Sequence, residues 1–137
     1  MNDNDIAHIL KQTRTIALVG ASDNPDRPSY RVMDYLLKQG YHVIPVSPKV
    51  AGKTLLGQQG YATLEEVPEK IDMVDVFRNS EAAWRVAKDA IAVGASTLWL
   101  QLGVINEPAA ALAREAGLSV VMDRCPAIEI PRLGLAK

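Results

Sequence analysis

Five short apolar runs, each separated from the next by a longer stretch, constrain this chain more than any single motif does. They occupy residues 15–19, 42–46, 73–77, 97–100 and 118–122. Apolar residues sit at consecutive positions in these runs, as in strands buried on both faces. In several of the intervening segments the apolar residues recur at helical spacing: Val32, Leu36 and Leu37 in 30–39, and further sets in 80–93 and 108–116, with Ser80 opening the second of these helices. A leading helix carries Ile6, Ile9 and Leu10. Gly40, Gly94 and Gly117 stand where helices would stop. This alternation predicts an α/β fold, a doubly wound parallel sheet of about five strands with helices on both faces and ligands outside the carboxyl ends of the strands.

The remaining segments are read more coarsely. Pro45 cannot donate to a ladder, so it belongs near the end of its strand or at a sheet edge. Residues 49–60 hold three glycines and Gln58–Gln59, which predicts a loop with at most a short extended piece. Thr63 caps a single helical turn that ends before Pro68. The tail from Cys125 to Lys137 carries Ile128, Ile130, Leu133 and Leu135 and is expected to pack back onto the domain, with Trp84 and Trp99 in the core.

At 137 residues, one domain covering 1–137 is expected. A formal net charge of -1, with both signs interspersed, offers no footprint for nucleic acid or an anionic membrane, which leaves small molecules and protein partners. The amino terminus is acidic where a secretory signal is basic, and no run is long enough to cross a bilayer, so a cytoplasmic location is expected. Cys125 is the single cysteine and His8 and His42 the only histidines, which excludes an internal disulfide and leaves no metal-ligand spacing.

The residues just after each strand differ chemically from the strands. Gly20, Ala21 and Ser22 follow the first, small enough to admit a ligand to the backbone, and Arg27, Pro28 and Ser29 stand at the next helix entrance. The amides of that helix terminus, with Arg27 as a clamp, would hold phosphate; alternatively Gly20 only turns the chain and Arg27 pairs with Asp23 or Asp26. The second strand leads into Pro45, Val46, Ser47, Pro48 and Lys49, a lysine where an NAD site would place a carboxylate for the ribose. Lys49 therefore suggests an extra ribose phosphate, as in NADP or coenzyme A, or is a solvated loop lysine. Phe77, beside Arg78, stacks on adenine or finishes the core. Gln101 and Gly103 supply amide contacts and close backbone approach, or form a polar turn. Asp72, Asp75 and Asp123 complete no acid–base set, and Cys125 before proline reads as a packed thiol.

In combination, Val19–Gly20–Ala21–Ser22, Arg27–Pro28–Ser29, the stretch from Gly40 to Pro48, Asp75–Val76–Phe77–Arg78 and Cys125–Pro126 resemble the small stand-alone CoA-binding proteins. Their Rossmann-like domain is similar to the amino-terminal CoA-binding domain of the succinyl-CoA synthetase alpha subunit and of ADP-forming acyl-CoA synthetases. The resemblance implies coenzyme A or an acyl-CoA as ligand. It implies that Gly20, Ala21, Ser22, Arg27, Pro28 and Ser29 cradle its phosphates and that Pro45, Val46, Pro48 and Lys49 lie beside the adenosine end. Phe77 and Arg78 would flank the nucleotide, and Gln101 and Gly103 would stand where the pantetheine arm leaves. The larger synthetases add a phosphorylatable histidine and a nucleotide-grasp domain. Neither His8 nor His42 matches that motif, so binding rather than synthetase chemistry is expected; a small NADP-binding protein or redox sensor on the same fold is the alternative. A tail folded over the strand ends would bring Cys125 near the CoA sulfur, in reach of a mixed disulfide under oxidation.

Overall fold

Successive residues of each central strand face opposite sides of the sheet, and here both sides are apolar. The computed structural model describes all of Met1–Lys137. Its central strands are β1 (Thr15–Val19), β2 (His42–Val46), β5 (Met73–Val76), β6 (Thr97–Leu100) and β7 (Ser119–Val121). All neighbours pair in parallel, in the order β2-β1-β5-β6-β7. Ala17, Val19, Ile44, Val46, Val74, Leu98 and Val120 point to one side, where α3 (Ala83–Ala92) and α4 (Glu107–Glu115) cover them. Ile16, Leu18, Val43, Met73, Trp99 and Val121 point to the other, under α1 (Asp3–Gln12), α2 (Pro28–Lys38) and α5 (Pro126–Arg132). Burial on both faces is why the strands read as unbroken apolar runs.

The chain steps outward from β1 to β2, then returns to lay β5 on the far side of β1 and continues outward. Connections therefore diverge between the carboxyl ends of β1 and β5, which leaves a crevice there and places the ligand site of such sheets. Pro45 pairs with Leu18 on β2, an edge strand, so its missing N–H faces no neighbour within the central sheet.

Three local expectations are corrected. Residues 49–60 are more ordered than a loop: Pro48–Val50 form a 3-10 turn, and β3 (Thr54–Leu55) pairs antiparallel with β4 (Gln58–Gln59). The two turn residues, Leu56 and Gly57, both have positive φ, the hairpin geometry usually announced by Asn-Gly. α3 begins at Ala83 rather than Ser80, because Ser80 is drawn to the next loop, where its Oγ accepts from the Ile105 N–H at 3.0 Å. The tail packs back onto the domain as expected, forming α5 against α1 and α2 despite Pro131 inside it. Trp99 is fully buried, but Trp84 lies on the exposed side of α3.

Candidate functional site

The loop after β1 is fixed by backbone contact. Gly20 has φ +91°, and a Cβ on it would stand 2.1 Å from the Phe77 carbonyl oxygen, so conformation and space both demand glycine. The Gly20 N–H donates to the Val46 carbonyl at 2.9 Å, and the Phe77 N–H donates to the Val19 carbonyl at 2.8 Å. These bonds carry the parallel ladder one residue past β1 and tie the three strand ends together. Ser47 adds a buried link, its Oγ donating to the Ala21 carbonyl at 2.9 Å.

Beyond Ser22 the chain folds on itself. The Asn24 N–H donates to Ser22 Oγ (3.1 Å), the Asp26 N–H to Asn24 Oδ1 (3.0 Å) and the Arg27 N–H to the Asn24 carbonyl (3.0 Å). α2 then starts with Arg27 in the capping position and Pro28 as its first residue. No side chain caps it and no acidic residue lies in its first turn; Asn2 caps α1 and Asn106 caps α4, while α3 and α5 also lack a side-chain cap but do not open on this crevice. The positive end of α2 is left for something else to complete.

Around that end lies a cavity of about 480 Å³ lined by Gly20, Ala21, Ser22, Arg27, Pro28, Ser29, Ser47, Pro48, Lys49, Phe77 and Arg78. Three of these are cations, none is an acid, and Arg27, Lys49 and Arg78 form no salt bridge. The pairing of Arg27 with Asp23 or Asp26 is not made: Asp23 lies 4.0 Å from Lys53, and Asp26 offers its carbonyl to Arg31. A crevice with three uncompensated cations and an open helix terminus suits a ligand with several phosphate charges. It has no carboxylate for a ribose diol.

Two further cavities adjoin it. One of about 590 Å³, on the α2 and α5 side, shares Pro28, Phe77 and Arg78 with the first and adds Val32, Asn79, Gln101, Leu102, Val104 and Cys125. The other, about 250 Å³ on the α3 side, shares Ser47, Pro48 and Arg78. Arg78 thus lines all three. A separate cavity of about 510 Å³ lies at the opposite end of the strands, near Arg14, His42 and Lys137, away from the crevice.

Of the residues singled out in the sequence, the structure brings Gly20, Ala21, Ser22, Arg27, Pro28, Ser29, Pro48, Lys49, Phe77 and Arg78 around the first cavity and Gln101 into the second. Val46 is buried and borders the smaller one. Pro45 and Gly103 line none of these three, and the Gly103 N–H is engaged by Asp123 Oδ1 at 2.8 Å. Ser47, Asn79 and Leu102 stood in the strand-end stretches of the sequence without being singled out, while Cys125 lies beside the strand ends, where a tail folded over them would place it.

The three aspartates considered earlier are dispersed. Asp72 Oδ2 accepts from the N–H groups of Arg14 and Thr15 at 3.1 and 2.9 Å, at the amino end of the sheet. Asp75 is wholly buried on β5, between Leu18 and Trp99 in register, with neither carboxyl oxygen partnered. Burial pushes its pKa well above the ordinary carboxylate value. Burial likewise pushes the Cys125 thiol up, with the neighbouring Gln101 amide partly opposing it.

Residues 14–131 match the model of the CoA-binding domain family. The chain belongs to that family. A protein of Bacillus subtilis (strain 168), uncharacterized protein YneT, is 39% identical over 121 residues, 88% of each chain. The structure of cell-free ID.343 from Thermus thermophilus superposes with a TM-score of 0.92 at 38% identity, covering 97% of this chain and 99% of that one. The dinucleotide-forming acetyl-coenzyme A synthetase 1 of Ca. Korarchaeum cryptofilum, in its apo form, shares the fold at a TM-score of 0.69 and 24% identity, over 80% of this chain and 26% of the synthetase. Family membership supports CoA binding in general. It agrees with the charge of the crevice.

Proposed function

We propose that this CoA-binding domain holds coenzyme A or an acyl-CoA at the carboxyl edge of its sheet and serves as a carrier, sensor or regulatory module. The observation that carries the reading is the convergence of Arg27, Lys49 and Arg78, without a counter-charge, on the open amino terminus of α2. Coenzyme A brings a pyrophosphate and a ribose 3′-phosphate to such a place. In this reading Gly20, Ala21, Ser22 and the first amides of α2 hold the pyrophosphate, with Arg27 as the clamp. Lys49 and Arg78 serve the remaining phosphate, and the cavity toward Gln101 receives the pantetheine arm.

Calorimetry on ligand-free protein tests this against NADP, which shares the extra ribose phosphate but needs no pantetheine channel. CoA and acetyl-CoA are expected to bind with Kd below about 1 mM, and dephospho-CoA and NADP at least about tenfold more weakly. Failure of CoA to bind overturns the reading. Equal binding of dephospho-CoA removes its 3′-phosphate part, and tighter binding of NADP replaces the ligand.

A further inference from the structure

The cavity toward α5 ends on groups that phosphate binding does not explain. Cys125, 6% exposed, is the chain's single cysteine and lines that cavity. It is firmly placed: the Trp99 indole N–H, from a fully buried ring on β6, donates to the carbonyl of the preceding residue, Arg124, at 2.8 Å. On its other side the Cys125 carbonyl accepts from the Glu129 N–H at 2.9 Å.

An independent observation lies beside it. Gln101, also 6% exposed, lines the same cavity, and its amide oxygen has no hydrogen-bond partner. A buried acceptor left unpaired is unfavourable, so a donor that reaches it from the cavity would be retained there. The pantetheine arm carries two amide N–H groups and ends in a thiol. The surrounding Val32, Leu102 and Val104 suit its apolar portions. The cavity that holds Cys125 adjoins the phosphate crevice and shares Pro28, Phe77 and Arg78 with it, so a ligand whose phosphates lie at Arg27 can extend its arm toward Cys125.

We propose that Cys125 is a thiol-exchange site, which captures coenzyme A from its symmetrical disulfide as a protein–CoA mixed disulfide. This rests on the reading of the crevice as a CoA site. Cys125 gives up its proton to water, and its sulfur attacks one sulfur of the CoA disulfide. The S–S bond between the two CoA units breaks as the bond to Cys125 Sγ forms. The second CoA leaves as a thiolate and takes a proton, so no electrons are gained or lost overall. A reducing thiol reverses the step. Because Cys125 is buried, only a disulfide that enters the cavity reaches it.

Intact-mass measurement after treatment with CoA disulfide tests the proposal, with calorimetry of reduced CoA under reductant run in parallel. The expected result is a gain of one CoA unit that a reducing thiol removes and that Cys125→Ser abolishes. Labelling by cystine should be slower by about tenfold or more, because cystine lacks the phosphates that deliver the sulfur. Adenosine 3′,5′-bisphosphate should slow the CoA reaction. No adduct, although reduced CoA binds, overturns the inference and leaves the CoA reading standing. Cystine labelling as fast as CoA disulfide also overturns it, since Cys125 is then merely accessible. If reduced CoA does not bind, the CoA reading itself fails and the inference falls with it.

Discussion

Gly20 and Asp75 show how differently single residues bear on this site. Gly20 meets the Phe77 carbonyl through a missing Cβ, and its φ of +91° is one that side chains resist. Gly20→Ala is expected to cost about 2 kcal/mol or more, through strain at the turn and separation of β1 from β5. Urea unfolding measures it; an unchanged midpoint would show that the crevice floor tolerates a methyl group. Asp75 acts through protons. Its folded-state pKa lies above the unfolded value, so the folded chain holds this proton more tightly. Its contribution to stability is complete below the unfolded pKa and is lost as pH rises toward the folded one. Asp75→Asn is therefore expected to flatten that fall, gaining stability relative to the parent as pH rises from 4 toward neutrality, to about pH 7. Thermal unfolding across this range checks the sign, and an unchanged slope would mean that Asp75 ionises freely in the fold.

At the scale of elements, α5 deserves to be set beside the strands. The five runs of apolar residues were legible because each strand is buried on both faces, so neighbouring positions carry the same signal. α5 lacked such a signal: it is short, begins at Pro126 and contains Pro131. What seats it is tertiary. Glu129, 4% exposed, accepts from Arg124 at 2.9 Å and from Arg132 at 2.7 Å, and Arg132 reaches Asp3 on α1 at 2.8 Å. Removing the shared carboxylate leaves Arg124 without a partner and Arg132 with Asp3 alone, both still partly in water. Glu129→Ala is expected to cost about 1–3 kcal/mol and to loosen the Cys125 end of α5 before the sheet. Hydrogen exchange would show this as lost protection at 126–133, and uniform loss across the sheet would contradict it. The hairpin at 54–59 escaped the sequence for a related reason, since Leu56 adopts a positive φ that its side chain does not advertise.

For the whole molecule, net charge and local field diverge. The chain carries a formal charge of -1, yet Arg27, Lys49 and Arg78 come from three separate loops to one crevice without an acid among the lining residues. Affinity for CoA is accordingly expected to fall as salt is raised, by about tenfold between 0.05 and 0.5 M, because the crevice is open to solvent and its charges are screened. Calorimetry over that range reads the slope; an affinity indifferent to salt would assign the binding to the apolar cavity instead.

The order of strands and helices, the glycine at the first turn and the small and basic residues at the strand ends were determined by the sequence itself. These depend on local pattern, and a buried parallel strand or a turn needing glycine leaves its mark within a few residues. The tertiary structure alone decided that Arg27 has no acidic partner, that Gly103 is committed to Asp123, and that Cys125 and Gln101 share one cavity. Those facts depend on residues distant in the chain: the pairing of β6 with β7 brings Gly103 to Asp123, and the packing of α2 and α5 on the same face of the sheet closes the cavity around Cys125 and Gln101.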